Sequence, residues 1–298
     1  MNIAHIGNTS GVGSALATEQ VAAGLCNKAE VYAFDDVTSK LFGGRMVKWN
    51  AGSKIERMMV RSKFFGEISK YDVWHYHYPH GGLWQELEKR KGGKKYVKHY
   101  HGDDLRGRHD DDFCLVSTPD LLQQAPNGVW LPNPINVAEI GAPVQRPEGG
   151  KIRIAHYPYY KNYRRENYYE EAFRALDDTK CEIVEVFDMP HDSVLQTVAS
   201  CDIVAGKVLP DIGWFGKFEL EGMALGKPVI CYVSDELYEK YRPPVYRTTK
   251  ETLARDLGRL VEDVQEQQRL SRAGSDYVRE NHNVSKIVKK LESYYQQV

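Results

Sequence analysis

Short apolar runs typical of β-strands alternate with helix-like segments along the whole chain, and this alternation limits the possible folds more than any other feature. The strand-like runs include NIAHIG (2–7), DVWHYHY (72–78), KIRIAHY (151–157) and PVICYV (228–233). Strands that alternate with helices form parallel sheets with helical crossovers. We therefore predict an α/β fold of doubly wound sheets, in which ligands bind beyond the carboxyl ends of the strands.

The length and one irregular segment indicate two domains. A chain of 298 residues suits two domains of roughly 150 residues each. The segment 131–151 contains four prolines and three glycines and has little periodicity, which is typical of a linker. We predict domains at 1–133 and 151–283, a linker at 134–150, and a C-terminal helix at 284–298 that can pack back on the first domain.

Composition excludes several classes of protein. The net charge of −1 argues against wholesale nucleic-acid binding. The five cysteines lie mostly within apolar runs without a CxxC pair, as expected of reduced thiols in a cytoplasmic protein. No apolar stretch approaches the ~18 residues of a membrane span, and no secretory signal is recognisable at the N-terminus.

A glycine-rich turn follows the first strand-like run. Gly7, Gly11 and Gly13 have the G-x3-G-x-G spacing of short-chain dehydrogenases, and Asp35 stands where a ribose-binding acid belongs. Tyr157 and Lys161 also match the Y-x3-K pair of those enzymes. Pro158 makes a helix through that pair improbable, and no serine stands upstream at 139–150. A nicotinamide-dependent oxidoreductase remains an alternative.

The segment GWFGKFELEGMALGKPVICYV (213–233) combines a glycine-containing loop, a helix that carries Glu221, and a strand. It resembles the signature of retaining GT-B glycosyltransferases of the large bacterial group 1, which are family 4-like. Backbone N–H groups at such a helix start favour a diphosphate, and an acid in the first turns can accept from two ribose hydroxyls. The alternative interpretation is a buried amphipathic helix with a glycine C-cap at Gly226.

The resemblance implies a GT-B fold with two Rossmann-like domains facing a cleft. It implies transfer of a sugar from a UDP- or GDP-linked donor, used as a substrate, to a hydroxyl of a glycan or lipid-linked acceptor, in polysaccharide or glycoconjugate synthesis. Neither a cofactor nor a metal ion is expected. The residues that it assigns to donor binding are Gly11, Val12, Gly13, Ser14, Gly216, Lys217, Phe218 and Glu221. Those that it assigns to catalysis are His101, Lys161 and Arg164.

One position departs from the pattern of this family. The family usually has Glu-x7-Glu, but the residue eight positions before Glu221 is Gly213. Asp211 and Glu219 are near but out of register. Asp211 can substitute in a rearranged loop, the enzyme can work without that carboxylate, or the protein binds sugar nucleotides without transferring the sugar. A hexosamine 2-epimerase on the same fold is a further alternative.

Two other sequence patterns have no single interpretation. Six of the ten histidines lie between positions 75 and 109, where strand spacing also allows a metal site, although no further ligand spacing supports one. Residues 40–63 contain seven basic residues and one acid among aromatic residues and methionines. This segment is either a solvated basic helix or a contact with an anionic membrane surface.

Overall fold

The computed structural model describes residues 1–34, 40–50, 52–79, 94–140, 150–159 and 168–297. The chain forms two compact units, of which the first combines Met1–Pro134 with Val284–Val298 and the second is Ile135–Asn283. Each unit contains one parallel sheet with helical crossovers. The predicted α/β fold class with parallel sheets is confirmed.

The sheet of the first unit has seven strands in the order β3-β2-β1-β4-β5-β6-β7. Their bounds are β1 Asn2–Ile6, β2 Lys28–Ala33, β3 Arg45–Met46, β4 Val73–His77, β5 Lys95–Tyr100, β6 Cys114–Val116 and β7 Gly128–Trp130. All neighbouring strands pair in parallel. Because β1 lies between β2 and β4, the direction of winding reverses at β1, as in doubly wound sheets.

The sheet of the second unit has five strands in the order β12-β11-β10-β8-β9. Their bounds are β8 Ile152–His156, β9 Cys181–Glu185, β10 Ile203–Ala205, β11 Val229–Cys231 and β12 Tyr246–Arg247. Here the winding reverses at β8, which lies between β9 and β10. The two-residue strands β3 and β12 were not predicted, because each is too short to show an alternating pattern.

The described helices cover both sheets. In the first unit they are α1 Val12–Ala22, α2 Lys54–Ile68 and α9 Val284–Tyr295. In the second unit they are α3 Tyr169–Arg174, α4 His191–Ala199, α5 Lys217–Ala224, α6 Asp235–Tyr241, α7 Leu253–Glu262 and α8 Val264–Asn281. None of these helices combines the length and the apolar sequence that a bilayer crossing requires.

The C-terminal helix α9 belongs to the first unit although the residues before it belong to the second. Its apolar residues recur at helical spacing and form one buried face, which comprises Val284, Ile287, Val288, Leu291 and Tyr295. This face packs with Ile3, Val73 and Val97 of the sheet and with Leu16 of α1. The last segment of the chain therefore completes the core of the first unit.

Candidate functional site

The winding reversal in the second unit places the carboxyl ends of β8 and β10 side by side. Ligands of open α/β sheets bind in the crevice outside such a pair of strand ends. Tyr157 and Tyr159 follow β8, and Gly206 and Lys207 follow β10. Helix α5 begins immediately after this loop region, with Gly216 as its N-cap. These residues form the candidate site of the second unit.

A fully buried carboxylate connects the segments of this site. Glu219 has no exposed surface. Its Oε1 accepts hydrogen bonds from the backbone N–H of Lys207 (2.7 Å) and the hydroxyl of Tyr159 (3.0 Å), and its Oε2 accepts one from the backbone N–H of Gly216 (2.8 Å). A Cβ at Gly206 would lie only 2.6 Å from Glu219 Cγ, so a glycine there lets the buried side chain approach. Glu219 thereby joins the loops after β8 and β10 to the start of α5.

Glu221, the predicted ribose ligand, is 5% exposed. Its Oε1 contacts His191 Nε2 at 2.8 Å and Lys217 Nζ at 3.3 Å. Burial opposes ionisation, but the positive charge of Lys217 and the hydrogen bond from His191 outweigh it and lower the pKa of the Glu221 carboxyl. The site therefore contains an ionised acid in the second turn of α5. Sequence reasoning missed His191, because it lies 30 positions away on α4.

The structure also accounts for the glycine at position 213. Gly213 has φ of +74°, in the left-handed region that favours glycine. A Cβ there would lie 3.1 Å from Ser234 Cβ, and the Gly213 carbonyl accepts a hydrogen bond from the Ser234 N–H (3.0 Å). A glutamate at this position would be strained. Asp211 is exposed, and Glu219 is engaged by backbone groups.

The other residues predicted for the site of the second unit either lie at the start of α5 or fall outside the described residues. Gly216 precedes the helix, Lys217 pairs with Glu221, and Phe218 is buried with its ring centroid 5.9 Å from that of Tyr157. The predicted catalytic residues Lys161 and Arg164 lie outside the residues that the structure describes.

The glycine-rich turn of the first unit is closed by hydrogen bonds within the protein. Asn8 is buried, and its Oδ1 accepts from the Ser14 N–H (3.0 Å). The Ser14 hydroxyl donates to the carbonyl of Phe42 (2.8 Å). The N–H groups of Gly11 and Val12 donate to the carbonyls of Asn8 and Thr9. Of the four predicted residues Gly11 to Ser14, three therefore direct their backbone N–H groups to protein acceptors rather than to an anion.

Five histidines occupy one face of the first sheet near the carboxyl ends of its central strands. They are His5 on β1, His75 and His77 on β4, His99 on β5, and His101 just after β5. His5 lies opposite His75, and His77 lies opposite His99. Because side chains alternate along a strand, this polar layer continues the apolar layer formed by Ile3, Val73 and Val97 on the same face.

These imidazoles form a continuous hydrogen-bonded sequence, which we call the histidine chain. In order, its pairs are Tyr295 Oη with His75 Nδ1 (2.6 Å), His75 Nε2 with His99 Nδ1 (3.2 Å), His99 Nε2 with Ser117 Oγ (3.1 Å), Ser117 Oγ with His101 Nδ1 (2.6 Å), His101 Nε2 with His77 Nδ1 (3.0 Å), His77 Nε2 with His5 Nδ1 (2.9 Å), and His5 Nε2 with Gln20 Oε1 (2.8 Å). Every ring nitrogen of the five histidines has a partner.

The Gln20 end of the histidine chain determines the direction of each hydrogen bond. Gln20 Oε1 can only accept, so His5 donates from Nε2 and accepts at Nδ1. A neutral imidazole has one donor and one acceptor nitrogen, so His77 in turn donates to His5, and His101 donates to His77. The Nδ1 of His101 must then accept the single hydroxyl proton of Ser117.

The second half of the histidine chain runs in the same direction. Since Ser117 donates to His101, it accepts from His99 Nε2; His99 accepts from His75, and the Tyr295 hydroxyl donates to His75. All five imidazoles are therefore neutral Nε2–H tautomers. Both nitrogens of His101, which the resemblance assigns to catalysis, are used within the protein, so a contact of its ring with a substrate requires a change of partners.

Burial keeps these histidines neutral. It lowers the pKa of His5 to about 4 and that of His101 to about 3, and it holds the pKa values of His75, His77 and His99 well below the ordinary value. Among the described residues, His5, His75 and His77 form one group whose ligand atoms lie within 4.8 Å, and His77, His99 and His101 form another. A metal ion in either group would have to replace hydrogen bonds of the histidine chain.

Comparison with known proteins shows which fold this is. No protein-family model matches the sequence, and no curated protein matches it. Among solved structures, HepE of Anabaena in complex with UDP-glucose matches with a TM-score of 0.69 at 12% identity, over 100% of both chains. Sucrose-phosphate synthase from Thermosynechococcus elongatus matches with a TM-score of 0.63 at 14% identity, over 100% of this chain and 98% of that one. The chain has the GT-B fold.

Another similar structure is described as a different class of enzyme. A protein described as a putative UDP-N-acetylglucosamine 2-epimerase from Listeria monocytogenes matches with a TM-score of 0.59 at 12% identity, over 100% of this chain and 97% of that one. At these identities the similarity establishes the fold alone. The activity therefore has to be argued from the residues of the site.

The hydrogen-bond directions in the histidine chain can be tested by NMR. We expect long-range 1H–15N correlation spectra to show five imidazoles as Nε2–H tautomers whose signals do not titrate between pH 8 and pH 6, because burial disfavours the imidazolium. His109 is exposed and lies outside the histidine chain. The imidazole signal that disappears in His109→Gln is therefore not one of the five. A neutral Nδ1–H tautomer among the five would contradict the assigned direction.

The same burial makes the first unit sensitive to acid. The pKa of histidine in an unfolded chain is about 6.5, whereas burial lowers it here, so the unfolded chain binds more protons below that pH. Stability is fully present above about pH 6.5 and is lost as the pH falls, by about 1.4 kcal/mol per histidine at pH 5.5.

Urea unfolding at pH 7.5 and pH 5.5 measures this loss. We expect the unfolding free energy to be several kcal/mol lower at pH 5.5 than at pH 7.5. In His101→Gln this difference between the two pH values should be smaller by about 1.4 kcal/mol, the contribution of one histidine. His109→Gln, at an exposed histidine outside the histidine chain, is the comparison variant. Equal free energies at the two pH values would show that the buried histidines do not resist protonation.

Proposed function

We propose that this protein is a glycosyltransferase that transfers a sugar from a UDP- or GDP-linked donor to a hydroxyl acceptor. The observation that carries the proposal is the buried, ionised Glu221 on α5, beside the crevice formed by the ends of β8 and β10 in a GT-B fold. The description of HepE, which has a similar fold, as a complex with UDP-glucose supports a nucleotide sugar as the ligand.

The proposed roles follow from the charges that the reaction develops. Glu221 accepts hydrogen bonds from ribose hydroxyls, and the start of α5 faces the diphosphate. When the bond between the anomeric carbon and the phosphate oxygen breaks, negative charge grows on the departing diphosphate. The acceptor hydroxyl bonds to the anomeric carbon and passes its proton to an oxygen of that diphosphate. Lys161 and Arg164 are proposed to neutralise that diphosphate, in place of a metal ion. Retention of configuration is part of the proposal.

One observation favours a second candidate, a protein that binds sugar nucleotides without transferring the sugar. Gly213 has a conformation that a glutamate would not adopt without strain, so an acid at this position is missing for a structural reason. Incubation with a radiolabelled UDP- or GDP-sugar separates the two candidates. Transfer or slow hydrolysis supports the transferase, whereas an intact bound donor supports the binding protein.

The ribose role of Glu221 can be tested by isothermal titration calorimetry. Glu221→Gln keeps the size of the side chain but removes its charge, so we expect UDP or GDP to bind about 1 to 3 kcal/mol more weakly. Glu236→Gln, at an exposed acid on α6, is the matched control and should bind like the wild type. If the wild type binds only NADH or NADPH, the protein is an oxidoreductase and the proposal is wrong.

We further propose a cytoplasmic enzyme that meets a glycan or lipid-linked acceptor of envelope or glycoconjugate synthesis at an anionic membrane surface. On α2, the apolar residues Ile55, Met58 and Met59 recur at i, i+3 and i+4 and are 67%, 59% and 66% exposed. Lys54 and Lys63 are exposed on the same helix. Met58 and Met59 also line a groove of about 760 Å³. Exposed apolar residues beside cations are typical of helices that lie at anionic lipid interfaces.

Vesicle co-sedimentation tests this contact. We expect binding to vesicles that contain phosphatidylglycerol but not to pure phosphatidylcholine, because cations gain about 1 kcal/mol each near an anionic surface. The double variant Met58→Ser and Met59→Ser should lower binding by at least roughly tenfold, since both side chains lose apolar burial. Val264→Ser, at a residue 57% exposed in the second unit, is the control. Equal binding of the double variant would exclude this face of α2.

A further inference from the structure

Lys207 is a charged residue of the second unit that the sequence analysis did not single out. It follows β10 by two residues and therefore lies at the crevice between the ends of β8 and β10. Its backbone is held on both sides, since its N–H donates to Glu219 Oε1 (2.7 Å) and its carbonyl accepts from the Tyr232 N–H (2.8 Å). The base of this side chain is thus in a defined position.

The ammonium group of Lys207 is positioned as well. Its Nζ lies 5.0 Å from the ring centroid of Tyr159, which is in the loop after β8, in a cation–π contact. The Tyr159 hydroxyl donates to Glu219, so the ring that carries the cation is itself held in place. A Cβ at Gly216 would lie 2.6 Å from Lys207 Nζ. The ammonium therefore lies close to the start of α5.

This position is electrostatically unusual for a lysine. The N-terminus of a helix carries a positive partial charge, so cations are favoured at the other end. An anion placed between the lysine and the start of the helix would interact favourably with both.

We propose that Lys207 binds the diphosphate group of the nucleotide donor. This inference rests on the proposed function, because it assigns a further binding residue to the same site. Lys207 acts together with the start of α5, and the Tyr159 ring positions its ammonium before the donor arrives. A positioned ammonium discriminates ligands by phosphate charge, so a nucleoside diphosphate should bind better than the corresponding monophosphate, and Lys207 should not affect the free nucleoside.

Calorimetry with UDP, UMP and uridine tests this role, with GDP, GMP and guanosine used if the wild type prefers guanine. Lys207→Met should weaken UDP binding about tenfold to a hundredfold and UMP binding less, and should leave uridine binding unchanged. Lys207→Arg keeps the charge and should restore most of the UDP affinity. Thermal unfolding without ligand confirms that each variant is folded.

Lys240 provides a matched control. Its Nζ also lies over a tyrosine ring, 5.2 Å from the centroid of Tyr241, but it is in the last turn of α6. Lys240→Met should bind UDP like the wild type. If Lys207→Met binds UDP as the wild type does, or if its affinities for UDP and uridine fall by the same factor, the inference is overturned while the proposed function stands. If the wild type binds neither UDP nor GDP, both fail.

Discussion

The buried carboxylate of Glu219 is the interaction on which the arrangement of the second unit's site depends. Removing an ionised carboxylate from water is very unfavourable unless hydrogen bonds replace its hydration. Here three donors do so, and each belongs to a different segment: the loop after β8, the loop after β10, and the N-cap of α5. Because the same oxygens satisfy all three, a shift of one segment would leave a buried group unpaired. Backbone N–H groups and side chains at the sheet edge are therefore held in position without a ligand.

The two units each have a doubly wound parallel sheet, with different strand orders, and they have opposite chemistry at the strand ends. In the first unit, the imidazoles of the histidine chain are neutral and internally satisfied, so the histidine chain itself is polar without carrying charge. In the second unit, Glu221, Lys217 and Lys207 bring charges to the corresponding edge. Charged groups stabilise charge that develops in a reaction, whereas a neutral network fixes geometry. The ionic part of the proposed reaction is accordingly assigned to the second unit.

The alternation of apolar runs and helical segments was sufficient to predict two parallel sheets, because both patterns depend on neighbouring residues. The ionised Glu221 lies in the helix that the segment 213–233 predicted. The role of Glu219, two residues away, was not predictable, since its partners follow β8 and β10. The histidine chain was equally hidden, because it depends on which strands are adjacent: β1 and β4 place His5 opposite His75, although 70 positions separate them. The directions of its hydrogen bonds further depend on Gln20 and Ser117, which no local pattern connects.

The left-handed backbone of Gly213 has a consequence for the proposed chemistry. In a sugar transfer, positive charge develops on the anomeric carbon while negative charge develops on the leaving diphosphate. With glycine at this position and Glu219 committed to backbone N–H groups, neither of these two positions offers a carboxylate to the developing positive charge. Stabilisation of the transition state then depends mainly on the leaving group, where cations and the start of α5 act together. Under the proposed function, the lysines and the arginine of the site therefore contribute more to stabilising the transition state than its acids do.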